Sequence, residues 1–302
     1  MSELPDGLIA FGPMANCTLA LCPVEWSVFQ YQPSLAANAL FIAIFGVLMV
    51  AHIVQGVWYK AWSYMGCIVA GCILQIIGYG GRIMLHDNPF DFNAFLMQII
   101  CITIAPVFYC AAIYVQLSQV YATTPYISIS RFNPKFFYWI FIPADVVCLV
   151  LQAVGGALSA TGSTFDAVAV GVDVSKAGLI LQVIVLFTFL CLSADYLFSL
   201  KRKHPGQMSK QMRLFLLFIL FAAILILVRC IYRIVELKDG YFAPNFRHQP
   251  EFIALEGAVM CLAVIFLNIG HPGPVFHPRK KGNQDSPELR SDDLPQGEAE
   301  PK

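Results

Sequence analysis

Long apolar runs alternate with short polar clusters along this chain, and seven of the runs outlast an ordinary core helix. They cover approximately residues 34–55, 61–85, 93–121, 136–158, 175–199, 212–236 and 252–270. At 1.5 Å of rise per residue, about 20 residues cross a hydrocarbon core of about 30 Å. The pattern therefore predicts an all-α, polytopic membrane protein with seven transmembrane helices. Pro106 in the third run and Pro143 in the fourth are expected to kink their helices. Residues 155–171, rich in Gly, Ser, Ala and Thr, read as a loop. Three regions follow: an extracellular amino-terminal segment 1–33, a membrane domain 34–275, and a cytoplasmic tail 276–302 whose composition predicts disorder.

Composition agrees with the pattern. The chain of 302 residues is 58% hydrophobic and only 13% charged, about half the charged share of a soluble domain. Its formal net charge is zero, which removes any bulk electrostatic case for nucleic acid. Lys60, Arg131, Lys135, Lys201, Arg202, Lys203, Lys210, Arg213 and the bases of the tail share one side of the predicted membrane, whereas segment 1–33 has no Lys or Arg. The positive-inside rule then places the amino terminus outside and the carboxyl terminus in the cytoplasm. Asn16-Cys17-Thr18 is the chain's one N-x-S/T sequon and falls in the predicted outer segment, making Asn16 a candidate glycosylation site. Cys17 and Cys22 alone among ten cysteines reach the oxidising side. They read either as a short disulfide or as two free or lipidated thiols.

The candidate chemistry sits inside the spans. Arg229, Arg233 and Glu236 follow one another by four and then three residues, so they form a single stripe on the sixth helix. The second helix repeats that spacing with Gln75, Tyr79 and Arg82. Asp145 and Gln152 share a face of the fourth helix, the fifth carries Gln182, and the seventh carries Glu256. A charge at mid-bilayer costs about 2.5–3.5 kcal/mol on insertion scales, so these groups need partners, water or a ligand. Most fall at a similar depth in the predicted outer half, which suggests one shared cavity open towards the outer leaflet. The competing reading is buried pairing that only fixes helix packing. Arg82, Arg229 and Arg233 face two acids, Glu236 and Glu256, leaving one cation over unless Asp145 approaches it.

Taken in order, these residues resemble the fungal RTA-like family, seven-helix membrane proteins described as lipid-translocating exporters. The resemblance covers roughly residues 29–275. It runs from Tyr31, Pro33, Ser34 and Asn38 through Gly78, Tyr79 and Arg82 to Ala105-Pro106 with Ala111, Ala112 and Tyr114. It continues with Asp145, Gln152, Gly155 and Gly156, then Gly178, Leu179 and Gln182. Its most specific piece joins Arg229, Tyr232, Arg233, Glu236 and Gly240 to Glu256 and His271-Pro272-Gly273. Two departures stand out: the family often has a glutamate where this chain has Gln75, and a His-Glu where it has His248-Gln249. The first tilts the buried charge positive, which either favours anionic amphiphiles or is balanced elsewhere.

The resemblance implies a transporter of amphiphilic lipids such as sphingoid bases, phospholipids or sterol-like toxic compounds, contributing to lipid export and resistance from the plasma membrane or an endomembrane. Its candidate substrate residues are Gln75, Tyr79, Arg82, Asp145, Gln152, Gln182, Arg229, Arg233, Glu236 and Glu256. The expected partners are membrane lipids or other amphiphilic small molecules, with no nucleic acid, no cofactor and no metal. No Walker pattern offers ATP hydrolysis. The alternative is a seven-helix lipid sensor that regulates resistance without transporting. Asp-Arg-Tyr and Asn-Pro-x-x-Tyr signatures of G-protein-coupled receptors are missing from the third and seventh helices. An enzyme is not expected: a ceramidase-type zinc site needs histidines at one depth, and no two of the six share a helical turn.

Overall fold

Among the described residues, seven helices are each long and apolar enough to cross a membrane. The computed structural model describes residues 7–123, 135–162, 165–203, 210–238, 240 and 247–273. The helices are α1 (Leu35–Tyr59), α2 (Trp62–Asp87), α3 (Phe92–Thr123), α4 (Lys135–Thr161), α5 (Phe165–Lys203), α6 (Lys210–Glu236) and α7 (Gln249–Ile269). Sequential neighbours pack from α1 to α7, α7 returns to α1, and α3 also meets α6 across the middle. The expected tail 276–302 and the loop base Arg131 lie outside the described residues.

Sidedness of the side chains is inverted relative to a soluble bundle. Val47, Val50, Val150, Ile184, Phe187 and Val235 point outward, whereas Arg82, Arg229 and Glu256 are buried. Hydrocarbon leaves no hydrophobic drive between helices, so small residues and interior polar bonds decide how they pack. The aromatic and aliphatic interior is built around Phe41, Phe45, Tyr79, Tyr109, Ile219 and Ile226.

Helix ends follow local chemistry. Ser34 caps α1 by accepting the Ala37 amide at 3.4 Å. The carbonyl of Pro33 lies 2.8 Å from His86 Nδ1 and so ties the start of α1 to the end of α2. Lys60 closes α1 in the left-handed region at φ 56°. The helix runs on through Pro106 in α3 and Pro143 in α4.

The expected loop at 155–171 is not a loop. Helix α4 continues to Thr161 and α5 begins at Phe165, ten residues earlier than its hydropathy suggested. The small residues serve close packing: a Cβ on Gly155 would strike Ser175, and one on Gly171 would strike Ser159. The hydroxyls turn back onto backbone, with Ser159 Oγ donating to Gly155 O at 2.9 Å and Ser175 Oγ to Gln152 O at 3.4 Å. Gly and Ser at four-residue spacing signal helix contact in a membrane, where backbone groups need partners within the protein. The seventh helix also departs from regularity. Residues Phe252–Ala258 form a π-helical stretch, closed by Val259 N–H donating to Ala254 O.

Residues 7–34 form a strap across the end of the bundle where α1 begins. Cys17 and Cys22 are joined as a disulfide and are buried with Phe90. Phe11 packs edge-on against Phe92 and Phe95. Val28 and Phe29 are buried with Leu85, Val172 and Leu237. Asn16 is exposed, with its Oδ1 accepting the Ile9 amide at 2.7 Å.

Candidate functional site

The stripe on α6 resolves into two ion pairs. Arg229 Nε donates to Glu256 Oε1 at 2.7 Å, and its Nη2 lies 2.6 Å from the same oxygen. Nη2 also donates to the carbonyl of Ile102 at 2.9 Å, so one guanidinium joins α6, α7 and α3. Both partners are fully buried. Glu256 reaches this position from the π-helical stretch, whose extra residue per turn rotates its side chain relative to a regular helix. Tyr79 lies in the field of Glu256 and Arg229 and packs against Phe41 and Phe45. Its hydroxyl and both amide atoms of Gln75 are buried without a hydrogen-bond partner.

One turn further along, Arg233 pairs with Glu236 of its own helix. Its Nη2 lies 3.4 Å from Thr103 Oγ1 on α3. Gln152 Nε2 donates to Gln182 Oε1 at 2.9 Å, which links α4 to α5. Arg233 and Gln152 face a cavity of about 190 Å³ enclosed by α3, α4, α5, α6 and Phe11 of the strap. Most of its wall is apolar, including Phe95, Ile99, Ile104, Leu149 and Leu179, with Thr103, Ser159 and Ser175 as further polar points. Ile100, Ala153 and Ala157 belong to the same wall and are exposed on the bundle's flank between α3 and α4. The cavity thus reaches the surface that faces hydrocarbon.

The remaining cation is Arg82. Its guanidinium lies 3.9 Å from the centre of the Phe252 ring and 5.3 Å from that of Phe29. Nη2 donates to Tyr31 Oη at 3.1 Å, while Nε and Nη1 have no hydrogen-bond partner. This is the surplus positive charge of the sequence, enclosed by aromatic rings beneath the strap. Asp145 does not offset it: its Oδ2 accepts the Tyr114 hydroxyl at 2.9 Å, and no Lys or Arg among the described residues pairs with it.

The candidate residues are therefore not walls of one open cavity. Gln152 and Arg233 line the cavity, with Gln182 and Glu236 held directly behind them. Arg229, Glu256, Gln75 and Tyr79 belong to the packed interior, and Arg82 to the strap contact. Thr103, Ser175 and Phe11 also line the cavity and carry no mark of their own in the sequence that sets them apart. The first two look like ordinary small polar residues, and Phe11 lies in a segment without periodicity. The Gly and Ser spacing of α4 and α5 was the available signal for Ser175.

At the opposite end, a second cavity of about 190 Å³ is lined by Lys60, Trp62, Tyr64, Gln116 and Pro272 among others. Nearby, Tyr64 donates to Leu267 O at 2.7 Å and Gln55 to Asn268 Oδ1 at 3.2 Å. Among the described residues no three His, Cys, Asp or Glu are grouped to hold a metal ion.

The profile of the family described as RTA1 like protein matches residues 68–279. The chain is 32% identical over 282 residues to the sphingoid long-chain base transporter RSB1 of Saccharomyces cerevisiae, covering 82% of this chain and 74% of that protein. It is 26% identical over 288 residues to Protein RTM1 of Saccharomyces cerevisiae, covering 82% and 92% of the two chains. Protein RTA1 of the same yeast is 25% identical over 278 residues, covering 82% and 85%. No solved structure matches.

Proposed function

This chain belongs to the RTA1-like family, and from that membership we propose that it moves amphiphilic lipids across a membrane. The carrying observation is the cavity between α3 and α4, apolar along its length, polar at Gln152, Thr103 and Arg233, and continuous with the hydrocarbon-facing flank at Ile100, Ala153 and Ala157. An amphiphile approaching from the bilayer places its headgroup on the polar points and leaves its tail along α3 and α4. The volume of about 190 Å³ is below the range of about 300–1,000 Å³ typical of pockets that enclose a whole drug-sized ligand. Such a space suits a headgroup with the first part of a chain, the rest staying in lipid.

Long-chain bases are the substrate class best supported, because the relative at 32% identity is named a sphingoid long-chain base transporter. Phospholipids and sterol-like toxic amphiphiles follow as alternative cargoes of the same flank, and resistance as the consequence of removing them. The charge distribution favours the strap end outside and the carboxyl terminus in the cytoplasm; the plasma membrane, with an endomembrane as the alternative, is the proposed site of action. Ion pairs Arg229–Glu256 and Arg233–Glu236 then hold the frame against which the cargo moves.

Flux of a fluorescent long-chain base from liposomes carrying the purified protein tests the proposal. Wild type is expected to move the base faster than protein-free liposomes, and Ala153→Trp, which fills the flank, to abolish the difference. Equal flux with and without wild-type protein, for long-chain bases and phospholipids alike, sinks it.

A further inference from the structure

Asp145 differs from the other buried acids in having no cation. Glu256 holds Arg229 and Glu236 holds Arg233, whereas Asp145, only 2% exposed, has a single hydrogen bond from Tyr114. Its Oδ1 is buried without a partner. No Lys or Arg among the described residues forms an ion pair with it. Tyr114 and Cys110 approach from α3, Cys148 lies on α4 itself, and Cys230 comes from α6. From α5, Phe189 packs edge-on against the Tyr114 ring. Arg229, next to Cys230, is engaged by Glu256 and by the Ile102 carbonyl.

Helical spacing connects this acid to the cavity. Leu149, Gln152 and Gly156 line the cavity wall and follow Asp145 by four, seven and eleven residues, the repeat of one helix face. Four residues at 1.5 Å each put Asp145 about 6 Å along the axis beyond Leu149. Asp145 is not itself part of the cavity wall, and a headgroup that moves from Gln152 towards the middle of the span reaches it past Leu149.

We propose that Asp145 is the counter-ion for the amine of a long-chain base in mid-passage, and that it exchanges a proton for that amine. The inference rests on the transport reading above. An isolated carboxylate in a dry interior is very costly, so this side chain is neutral in one of two ways: it carries a proton, or it pairs with a cation. A primary amine on a long chain is protonated near neutral pH, as a lysine amine is. When the ammonium arrives, the O–H bond of the Asp145 acid breaks and its proton passes to water. The carboxylate then pairs with the ammonium. Departure of the amine reverses the step. One positive charge leaves the site for each that enters, so the interior gains no net charge. The same exchange distinguishes amines from N-acylated lipids, which carry no charge to trade, and couples their movement to a proton gradient.

Calorimetric titration of the full chain in lipid nanodiscs tests this, with a C18 long-chain base and its N-acetyl derivative as probes in two buffers of different ionisation enthalpy. About one proton released per base bound, and none for the N-acetyl derivative, is the expected result. Asp145→Asn is expected to abolish the release and to cut the preference for the amine by at least about tenfold, the equivalent of 1.4 kcal/mol. If that variant fails to fold, proton release by the wild type decides the matter. Binding of the base without proton release, or equal affinity for both probes, overturns the counter-ion role while leaving the transport reading intact. Absence of binding by either probe, together with absence of flux in liposomes, overturns both.

Discussion

Arg229 gives both its Nε and Nη2 to one oxygen of Glu256, at 2.7 and 2.6 Å, with neither side chain touching solvent. The pair bridges α6 to α7, and the Ile102 carbonyl extends it to α3. Removing one partner of such a pair strands the other charge, at a cost of about 3–5 kcal/mol. Arg229→Met is therefore expected to lower the unfolding temperature of the detergent-purified protein sharply. Adding Glu256→Gln is expected to recover part of the loss, because the stranded carboxylate is gone. Additive losses in this double-mutant cycle would refute the pairing.

The contact between α4 and α5 depends on volume instead of charge. Gly155 and Gly171 meet Ser175 and Ser159 with no room for a Cβ. Gly155→Leu is expected to cost about 1–3 kcal/mol through overpacking. Gly66, with nothing within 4 Å of an added Cβ, is the control: Gly66→Leu is expected to leave the unfolding temperature unchanged. Thermal unfolding of the two variants side by side measures both.

Much of this architecture was legible in residues alone. Seven helices follow from run length, because the bilayer thickness sets a minimum that short core helices do not reach. Cys17 and Cys22 stood out as the two cysteines beyond the spans, and of the two readings open for them the structure shows the disulfide. The interior charges were legible as a set, but not their partners: Arg229 with Glu256 requires a π-helical stretch at Phe252–Ala258, which no hydropathy pattern encodes. Residues 155–171 misled because Gly and Ser loosen a helix in water yet let two helices approach closely in lipid. A cavity was expected from the interior polar residues, and Gln152 and Arg233 do line one; its apolar walls were not legible, because they look like any membrane-facing stripe.

Asn16 links topology to chemistry. It is exposed on the strap, and its sequon includes Thr18. On the proposed orientation, which puts the strap on the outer side, the protein expressed in yeast is expected to lose mass on treatment with an amidase that removes N-linked glycans, and both Asn16→Gln and Thr18→Ala are expected to abolish that shift. A tag appended after Lys302 is expected to be reached by antibody only in permeabilised cells. Staining of the tag on intact cells would reverse the orientation.

Arg82 anchors the strap, and its attachment is separable from the stability of the bundle. The guanidinium is 3.9 Å from the Phe252 ring centre and donates to the Tyr31 hydroxyl oxygen at 3.1 Å. A desolvated cation–π contact contributes about 2 kcal/mol, whereas the hydrogen bond from a charged donor contributes about 1.5–3 kcal/mol. Tyr31→Phe removes only the second and leaves the ring that packs on Phe29. Faster proteolysis within residues 7–33 is therefore expected for Tyr31→Phe, with the unfolding temperature of the helices unchanged. Arg82→Lys keeps the charge but loses the planar group that lies over Phe252, and an ammonium on a shorter reach does not satisfy Tyr31 and the ring together. It is expected to release the strap as well and to lower the unfolding temperature, because Phe252 begins the π-helical stretch that presents Glu256 to Arg229. Strap cleavage at the wild-type rate in both variants would remove Arg82 as the anchor.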